Sequence, residues 1–424
     1  MKRLWYVFVW SFFLFSIVRA QDSLHLATCY EAAVAHAPVL ANVAHLELLE
    51  QHQLAQIDAM RKPSLAFKAQ GVLQSESLQL DFPPQVPIDP VELPLYRFQA
   101  YGEMQYVWYD GGRSQLAKAL QAAAIARQQG ELRVQADVVR QQVQDLYFQI
   151  LLLHQQCLLV RSGIDVLDER IAALEVALKQ GVVTEGTVLE LRAARLTQAS
   201  QLLQLEHAAQ GAREILGVLT GLPIDSSTIL VTPSLSLLPK GDFSLRADMQ
   251  VYALRKAELT AQAQQLDAQR RPTVAAFAQL GVGLPNPLNF FDDNLSPYSM
   301  VGLHATWSPF DWGLNAHRRD ALSVQAMMLD QQQLQQVQGL EASYRQMMRR
   351  IAMLQALLEQ DEVLLAMRQQ LVQEAAVQLE QGVITAADYL SQWQAAQAAQ
   401  YNSVLHQIRL VQAHHALEAL YGKF

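Results

Sequence analysis

A short segment of this chain occurs twice, and two other segments recur at the same spacing. The sequence LKQGVVT at 178–184 matches LEQGVIT at 379–385, so that Gly181 and Gly382 lie 201 positions apart (382 − 181). At the same offset, DGG at 110–112 matches DWG at 311–313, and LTG at 219–221 matches LYG at 420–422. A long, fixed period of this kind indicates a duplicated structural unit, and such units usually need further copies to bury their apolar faces. The sequence therefore predicts an internally duplicated fold.

The N-terminus has the pattern of a secretory signal peptide over residues 1–20. Lys2 and Arg3 precede an apolar run at 4–18, and VRA at 18–20 offers a cleavage site between small residues. An N-terminal membrane anchor is the alternative, although the run is short for a membrane-spanning helix. No later stretch of about 18 apolar residues is apparent. We therefore expect an exported chain without a transmembrane helix.

Composition excludes several classes of function. The 424 residues carry a formal net charge of −8, which argues against a nucleic-acid partner. The two cysteines, Cys29 and Cys157, are too few for a disulfide-stapled secreted scaffold. We find no nucleophile–base pairing, phosphate-binding loop or metal-ligand spacing, so we expect no enzyme activity, no cofactor and no metal site.

Two very long helical hairpins are expected, over about 114–221 and 314–422. No proline occurs from 114 to 179, and apolar residues follow one another there at alternating steps of three and four, as in a coiled coil. At 1.5 Å per residue, each descending helix would be about 100 Å long. The returning segment of the first hairpin has two apolar stripes. The second of them, through Leu189, Leu196 and Leu203, implies that this helix has neighbours on two sides.

Each hairpin has a glycine–threonine turn. Gly181 and Gly382 follow the descending helices, where glycine can adopt the left-handed conformation that closes a helix. Thr184 and Thr385 then supply side-chain oxygens as N-caps for the returning helices.

Four segments of about ten residues alternate between apolar and polar side chains. They form two predicted β-hairpins, at about 64–108 and 273–308, each preceded by a helix that ends in basic residues and proline. Strands of this length and alternation are typical of a transmembrane barrel, whereas a soluble antiparallel sheet with one wet face explains the alternation equally well. The long, irregular connections within the hairpins favour the barrel.

Four strands cannot close a barrel, so several chains must pool them around a common axis. We accordingly divide the chain into a first repeat at 21–221, a connecting segment at 222–242 and a second repeat at 243–424. Each repeat contains a helix, a β-hairpin and a long helical hairpin. The predicted fold is mainly α, with a membrane β-barrel portion.

The chain resembles the TolC-type outer-membrane efflux protein family over essentially its whole mature length. The resemblance rests on the duplicated element order, the opening segment LATCYEAAVAHAPVL at 26–40 and the Gly-x-x-Thr turns. It implies a homotrimer with a 12-stranded barrel in the outer membrane and a coiled-coil helical barrel in the periplasm of a Gram-negative bacterium. It also implies a periplasmic adaptor and an inner-membrane pump as partners.

The resemblance assigns functional roles to the two turns and to one carboxylate. The adaptor would dock at the tips, which comprise Gly181, Val182, Val183, Thr184, Gly382, Val383, Ile384 and Thr385. The family's periplasmic gate has acidic residues six and nine positions after the second glycine; Asp388 matches the first, and Ser391 replaces the second. One ring of three Asp388 carboxylates is therefore the expected gate. The alternative is a solvated carboxylate stabilised by the helix dipole.

The function that the sequence favours is a passive exit duct of a tripartite efflux or type I secretion system. A constitutively open porin-like channel shares the barrel but needs no helices of this length. A secreted coiled-coil structural protein explains the helices but not the paired amphipathic strands. The sequence does not indicate the cargo.

Overall fold

A computed structural model describes residues 23–76, 79–80, 91–92, 94–235, 242–289, 292 and 294–424. The helices are α1 (Leu26–His36), α2 (Asn42–Ala59), α3 (Arg113–Lys179), α4 (Glu185–Thr220), α5 (Ala247–Gln269), α6 (Leu314–Glu380) and α7 (Ala386–Leu420). The strands are β1 (Ser23–Leu24), β2 (Ser64–Leu73), β3 (Gln79–Leu80), β4 (Val91–Glu92), β5 (Tyr96–Tyr109), β6 (Ile229–Leu230), β7 (Thr273–Leu284) and β8 (Ser296–Thr306). The predicted signal peptide and residues 236–241 of the connecting segment lie outside the described residues.

The chain is mainly helical, as predicted. Helices α3 and α6 each contain 67 residues, which corresponds to about 100 Å at 1.5 Å per residue. Both end two residues before a glycine with positive φ, Gly181 at 77° and Gly382 at 74°. Glycine tolerates this left-handed conformation because it has no Cβ, so the descending helices stop where the sequence places the turns.

Strands β2, β5, β7 and β8 form one antiparallel sheet in that order. The two predicted hairpins are therefore joined by a pairing of β5 with β7, which are far apart in sequence. Strands β2 and β8 are the edges of this sheet, and neither has a second partner strand among the described residues. The described residues also form two short pairs, a parallel pair of β1 with β6 and an antiparallel pair of β3 with β4.

The chain divides into two compact units. The first comprises the described residues within 1–40, 135–243 and 340–424, and the second comprises those within 41–134 and 244–339. The described residues of the first unit contain three clusters of buried apolar side chains, and the largest joins α1 to α3 and α4 through Cys29, Tyr147 and Leu216. The second unit contains the sheet with α2, α5 and the adjoining ends of α3 and α6.

The structure corrects one expectation about apolar segments and extends another. Helix α3 contains an 18-residue window apolar enough to cross a membrane, contrary to our expectation that none exists, although part of that window is buried in the chain. In the same helix, Ile150 and Leu151 belong to the largest core cluster, which accounts for their apolar character. By contrast, the second apolar stripe of α4 is uncovered: Leu189, Leu196 and Leu203 are all exposed.

Candidate functional sites at the helical turns and on the sheet

The two turns close their descending helices with the same hydrogen bonds. At the first turn, Gly181 N–H donates to Leu178 O at 3.0 Å and Val182 N–H donates to Ala177 O at 3.0 Å. At the second turn, Gly382 N–H donates to Leu379 O at 3.0 Å, and the next residue donates to Gln378 O at 2.8 Å. These are the two bonds of a Schellman motif, which satisfies the carbonyl groups at a helix C-terminus.

The threonines begin the returning helices as predicted. Thr184 Oγ1 accepts a hydrogen bond from Thr187 N–H at 3.4 Å, and Thr385 Oγ1 accepts one from Asp388 N–H at 3.2 Å. Both threonines have extended backbone conformations, which is the usual geometry of an N-cap. Each tip is thus a compact turn in which a Schellman motif leads directly into a capped helix.

The apolar residues of the tips divide into an inward and an outward pair. Val183 and Ile384 pack against a buried cluster formed by all four long helices near the turns. Val182 and Val383 point outward, with 49% and 68% of their surface exposed. The two tips also lie side by side, because a Cβ added at Gly382 would be 3.3 Å from the carbonyl oxygen of Val182. The outward valines thus provide a small apolar surface on each tip.

Asp388 lies in the first turn of α7 and takes part in a capping box. Its Oδ2 accepts hydrogen bonds from Thr385 Oγ1 at 2.7 Å and from Thr385 N–H at 3.1 Å. The side-chain hydrogen bond, followed by the backbone one, lowers the pKa of this exposed carboxyl group. Within one chain, Asp388 therefore stabilises the first turn of α7. The corresponding residue of the first turn is Thr187, whose side chain is uncharged.

The register of the sheet places all four apolar series on one face. Leu65, Met104, Ala278 and Val301 form one row across the four strands, and Phe67, Gly102, Leu280 and Ser299 form the next row on that face. The large apolar side chains of these rows are exposed, with Phe67 at 84% and Val301 at 83%. An apolar sheet face that no other part of the described chain covers is unusual for a soluble sheet.

The opposite face of the sheet is polar and internally hydrogen-bonded. Lys68 Nζ lies 2.6 Å from Glu103 Oε1, and Gln279 Nε2 donates to Glu103 Oε2 at 2.7 Å. These three side chains come from three adjacent strands, so the network runs across the sheet. An apolar outer face combined with a polar inner face is the pattern of a transmembrane barrel wall.

One buried hydrogen-bonded pair, Asp361 with His406, could not be recognised in the sequence. In the sequence, Asp361 interrupts an apolar stripe of α6, and no carboxylate adjoins His406. The structure brings them together, with His406 Nδ1 2.6 Å from Asp361 Oδ2 and Asp361 only 8% exposed. No sequence signal indicated this pair, because 45 residues separate the partners.

Cys157, on α3, is only partly buried. It lines a cavity of about 580 Å³ together with His154, Arg161, Glu206 and Arg213. Both cysteines are free thiols. Within the described part of the chain, no group of three or more His, Cys, Asp or Glu side chains could hold a metal ion.

Comparison with solved structures identifies the fold. The chain is similar to the outer-membrane protein VceC from Vibrio cholerae, with a TM-score of 0.67 and 19% identity over 94% of this chain and 96% of VceC. It is similar to CusC, with a TM-score of 0.71 and 14% identity over 94% and 92% of the two chains. It also resembles the open state of the MtrE outer-membrane channel from Neisseria gonorrhoeae, with a TM-score of 0.67 and 14% identity over 94% and 89%.

The sequence comparisons gave no match: no protein-family model matches the chain, and no curated protein sequence matches it significantly. At such low identity, the structural likeness shows a shared fold. The chain therefore has the TolC-type fold of outer-membrane channels, which confirms the fold family predicted from the turns and the element order.

Proposed function

We propose that this chain is an outer-membrane exit duct, in which three copies share a 12-stranded barrel and a periplasmic helical barrel. The observation that carries this proposal is the sheet, with an exposed apolar face, a polar face and two open edge strands. In lipid, unpaired backbone groups on β2 and β8 cost several kcal/mol each, so the edges must pair with those of other copies. The proposed location is the outer membrane of a Gram-negative bacterium.

The helices support the same assembly. Leu189, Leu196 and Leu203 recur every seven residues on α4 and stay exposed within one chain. A seven-residue apolar stripe packs against another helix in a coiled coil. A ring of three copies supplies that helix, which completes the coiled-coil barrel implied by the duplication. The internal duplication itself remains a prediction from the sequence.

The proposed role is passive conduction, with an inner-membrane pump supplying the energy. A periplasmic adaptor would contact the tips formed by residues 181–184 and 382–385, where Val182 and Val383 are the exposed apolar side chains. Tripartite efflux and type I secretion both use this arrangement. A porin-like channel is the second candidate, because the sheet alone would satisfy it.

The proposed gate is a ring of Asp388 carboxylates, one from each copy. Asp388 is exposed at the start of α7 and only three residues beyond the second tip. Negative charges placed around a narrow opening attract cations and hinder anions. The capping box fixes the carboxylate beside Thr385 and leaves its charge accessible to solvent, so both roles are compatible.

The double variant Val182→Asp with Val383→Asp tests the duct against the porin. It leaves both turn glycines and their hydrogen bonds in place but adds charge to the apolar tip surface. We expect pump-dependent export to be lost while the protein remains in the outer membrane. As a matched control, Leu189→Asp places a charge on the exposed stripe of α4 and is expected to impair assembly instead. Normal export by the double variant, or export without any pump, would contradict the proposed role.

A further inference from the structure

The turns that follow β5 and β8 have the same backbone geometry. Each begins with an aspartate that accepts a hydrogen bond from the N–H two residues later: Gly112 to Asp110 Oδ1 at 2.8 Å, and Gly313 to Asp311 Oδ1 at 3.1 Å. Both glycines have positive φ, 83° and 84°. The two turns can therefore be compared position by position.

Their side chains differ at two positions. Gly111, with φ of 70°, corresponds to Trp312, with φ of 53°. Arg113 corresponds to Leu314. Trp312 is the one non-glycine residue with positive φ in the described part of the chain. A bulky residue rarely adopts this conformation, and strain of this kind persists only where other contacts compensate for it.

Inside the chain, the first turn is fixed by arginines. The Arg113 guanidinium donates to the carbonyl oxygens of Ala268, Gln269 and Arg271 at 3.3, 2.9 and 3.4 Å. In return, Arg271 Nη1 donates to Gly111 O at 3.1 Å. This β5–β7 junction joins the turn after one strand to the segment that leads into the neighbouring strand. It leaves no space for a side chain at Gly111, where a Cβ would be 2.8 Å from Arg271 Cβ.

Among the described residues, the second turn has no such neighbour, because β8 is an edge of the sheet. Trp312 is 99% exposed, and Phe310 and Leu314 are exposed beside it. The strained tryptophan therefore lacks a compensating contact within the described chain.

At the other edge of the sheet, the segment before β2 also differs from its counterpart before β7. The segment MRKP at 60–63 leads into β2 as QRRP at 269–272 leads into β7. Met60 takes the place of Gln269 and is exposed. At the two open edges, glycine, arginine and glutamine are thus replaced by Trp312, Leu314 and Met60. Each of the three positions at the open edges has a large apolar residue where the β5–β7 junction has glycine or a polar residue.

We propose that Trp312 and Leu314 of one copy pack against Met60 of the next copy, at a β8–β2 junction. This inference rests on the proposed ring of copies. An aromatic and aliphatic contact there takes the place of the arginine hydrogen bonds of the β5–β7 junction, and methionine sulfur packs well against an indole ring.

The junction between copies is accordingly wider than the junction within a chain. A Cβ at position 111 would collide with Arg271, so a tryptophan at the matching position requires its neighbour, near Lys62, to lie farther away. The indole fills that additional space. Contact with the neighbouring copy also supplies the stabilisation that a tryptophan with positive φ needs.

Cross-linking of the full chain tests the contact. In a background with Cys29→Ala and Cys157→Ser, the pair Met60→Cys and Trp312→Cys is treated with a short bismaleimide in outer membranes. We expect covalent dimers and trimers on denaturing gels. The control pair, Leu73→Cys with Trp312→Cys, places the second thiol at the opposite end of β2 and should give monomers.

Replacing residues of the β8–β2 junction by those of the β5–β7 junction provides an independent test. Trp312→Gly should lower the temperature at which the complex dissociates, although it relieves the backbone strain. Trp312→Gly with Leu314→Arg recreates the DGGR sequence of the first turn and should restore the dissociation temperature. Without the indole, the two edges can approach to the spacing of the β5–β7 junction, and the new arginine then reaches the carbonyl groups at the end of α2 in the next copy. Gly111→Trp should not be tolerated.

The outcomes separate this inference from the proposed function. A stable trimer without cross-links between positions 60 and 312, or with Trp312→Gly as stable as the parent, would overturn the junction while leaving the exit duct in place. In that case, weaker quenching of tryptophan fluorescence by brominated lipid in Trp312→Gly than in the parent would show that this indole faces the bilayer. A chain that stays monomeric would overturn both.

Discussion

Thr385 and Asp388 hold each other at the start of α7. The Thr385 hydroxyl donates to Asp388 Oδ2 at 2.7 Å and accepts from Asp388 N–H at 3.2 Å. This reciprocal pair stabilises the returning helix just past the turn at Gly382. Any test of a gating role for Asp388 must therefore separate the charge of the carboxylate from its structural role.

Asp388→Asn makes that separation. The amide oxygen can still accept from Thr385, so the helix start should survive while the charge is removed. We expect single-channel recordings to show reduced cation preference for Asp388→Asn. Asp388→Ala should also lose the preference, and it should lower helix stability because the capping box is broken. Asp137→Asn, at a carboxylate 2.6 Å from Arg140 on α3, serves as the control and should leave selectivity unchanged.

The pH dependence of selectivity follows from the same hydrogen bonds. They lower the pKa of Asp388, so the charge and its contribution to stability are present above the usual carboxyl range and are lost as the pH falls through the lowered pKa. Mutual repulsion in a ring of three carboxylates acts in the opposite direction. Thr385→Val removes the hydroxyl donor and should move the loss of cation preference to higher pH. Selectivity that is unchanged in Asp388→Asn would place the gate elsewhere.

Substitutions of the turn glycines should differ in cost. Both positions have positive φ, and an L-residue there costs about 1–2 kcal/mol. An added Cβ at Gly181 meets nothing within 4 Å, whereas one at Gly382 would be 3.3 Å from Val182 O. We expect Gly382→Ala to lower the thermal unfolding midpoint more than Gly181→Ala does. Gly211→Ala, in the interior of α4 with open space around it, should raise the midpoint. Equal effects at all three glycines would contradict the described turns.

We expect single and double variants of Asp361 and His406 to differ strongly in stability. His406→Leu removes one partner and leaves a buried carboxylate, which should destabilise the fold by more than about 1.5 kcal/mol. Replacing both residues by leucine removes the uncompensated charge and continues the apolar stripe of α6, so much of that loss should be recovered. Chemical unfolding of the four-member mutant cycle measures the coupling. Additive effects would show that the two side chains do not interact.

Local features of the fold were accessible from the sequence. The alternation within 64–108 predicted β2 and β5, and the glycines and threonines at 181–184 and 382–385 predicted the turns, because each signal depends on neighbouring residues. The faces of the strands were predicted for the same reason. Phe67 and Lys68 are adjacent in sequence and lie on opposite sides of the sheet.

Relationships between distant residues were not accessible. The pairing of β5 with β7 depends on the packing of the whole chain, and Asp361 resembles an interruption until His406 is placed beside it. In the sequence, comparison of the two repeats showed only that Trp312 takes the place of Gly111. Its positive φ and full exposure became visible in the structure, where the corresponding turn provides the comparison. The roles of the tips and of Asp388 remain proposals, because they involve partners and further copies.

The mass of the detergent-extracted complex tests the central claim most directly. The sheet has four long strands and two open edges, so one chain cannot form a closed barrel in lipid. We predict that native mass spectrometry of the protein extracted from outer membranes gives a complex of three chains. A stable, membrane-inserted monomer would contradict the shared barrel, and with it the proposed duct.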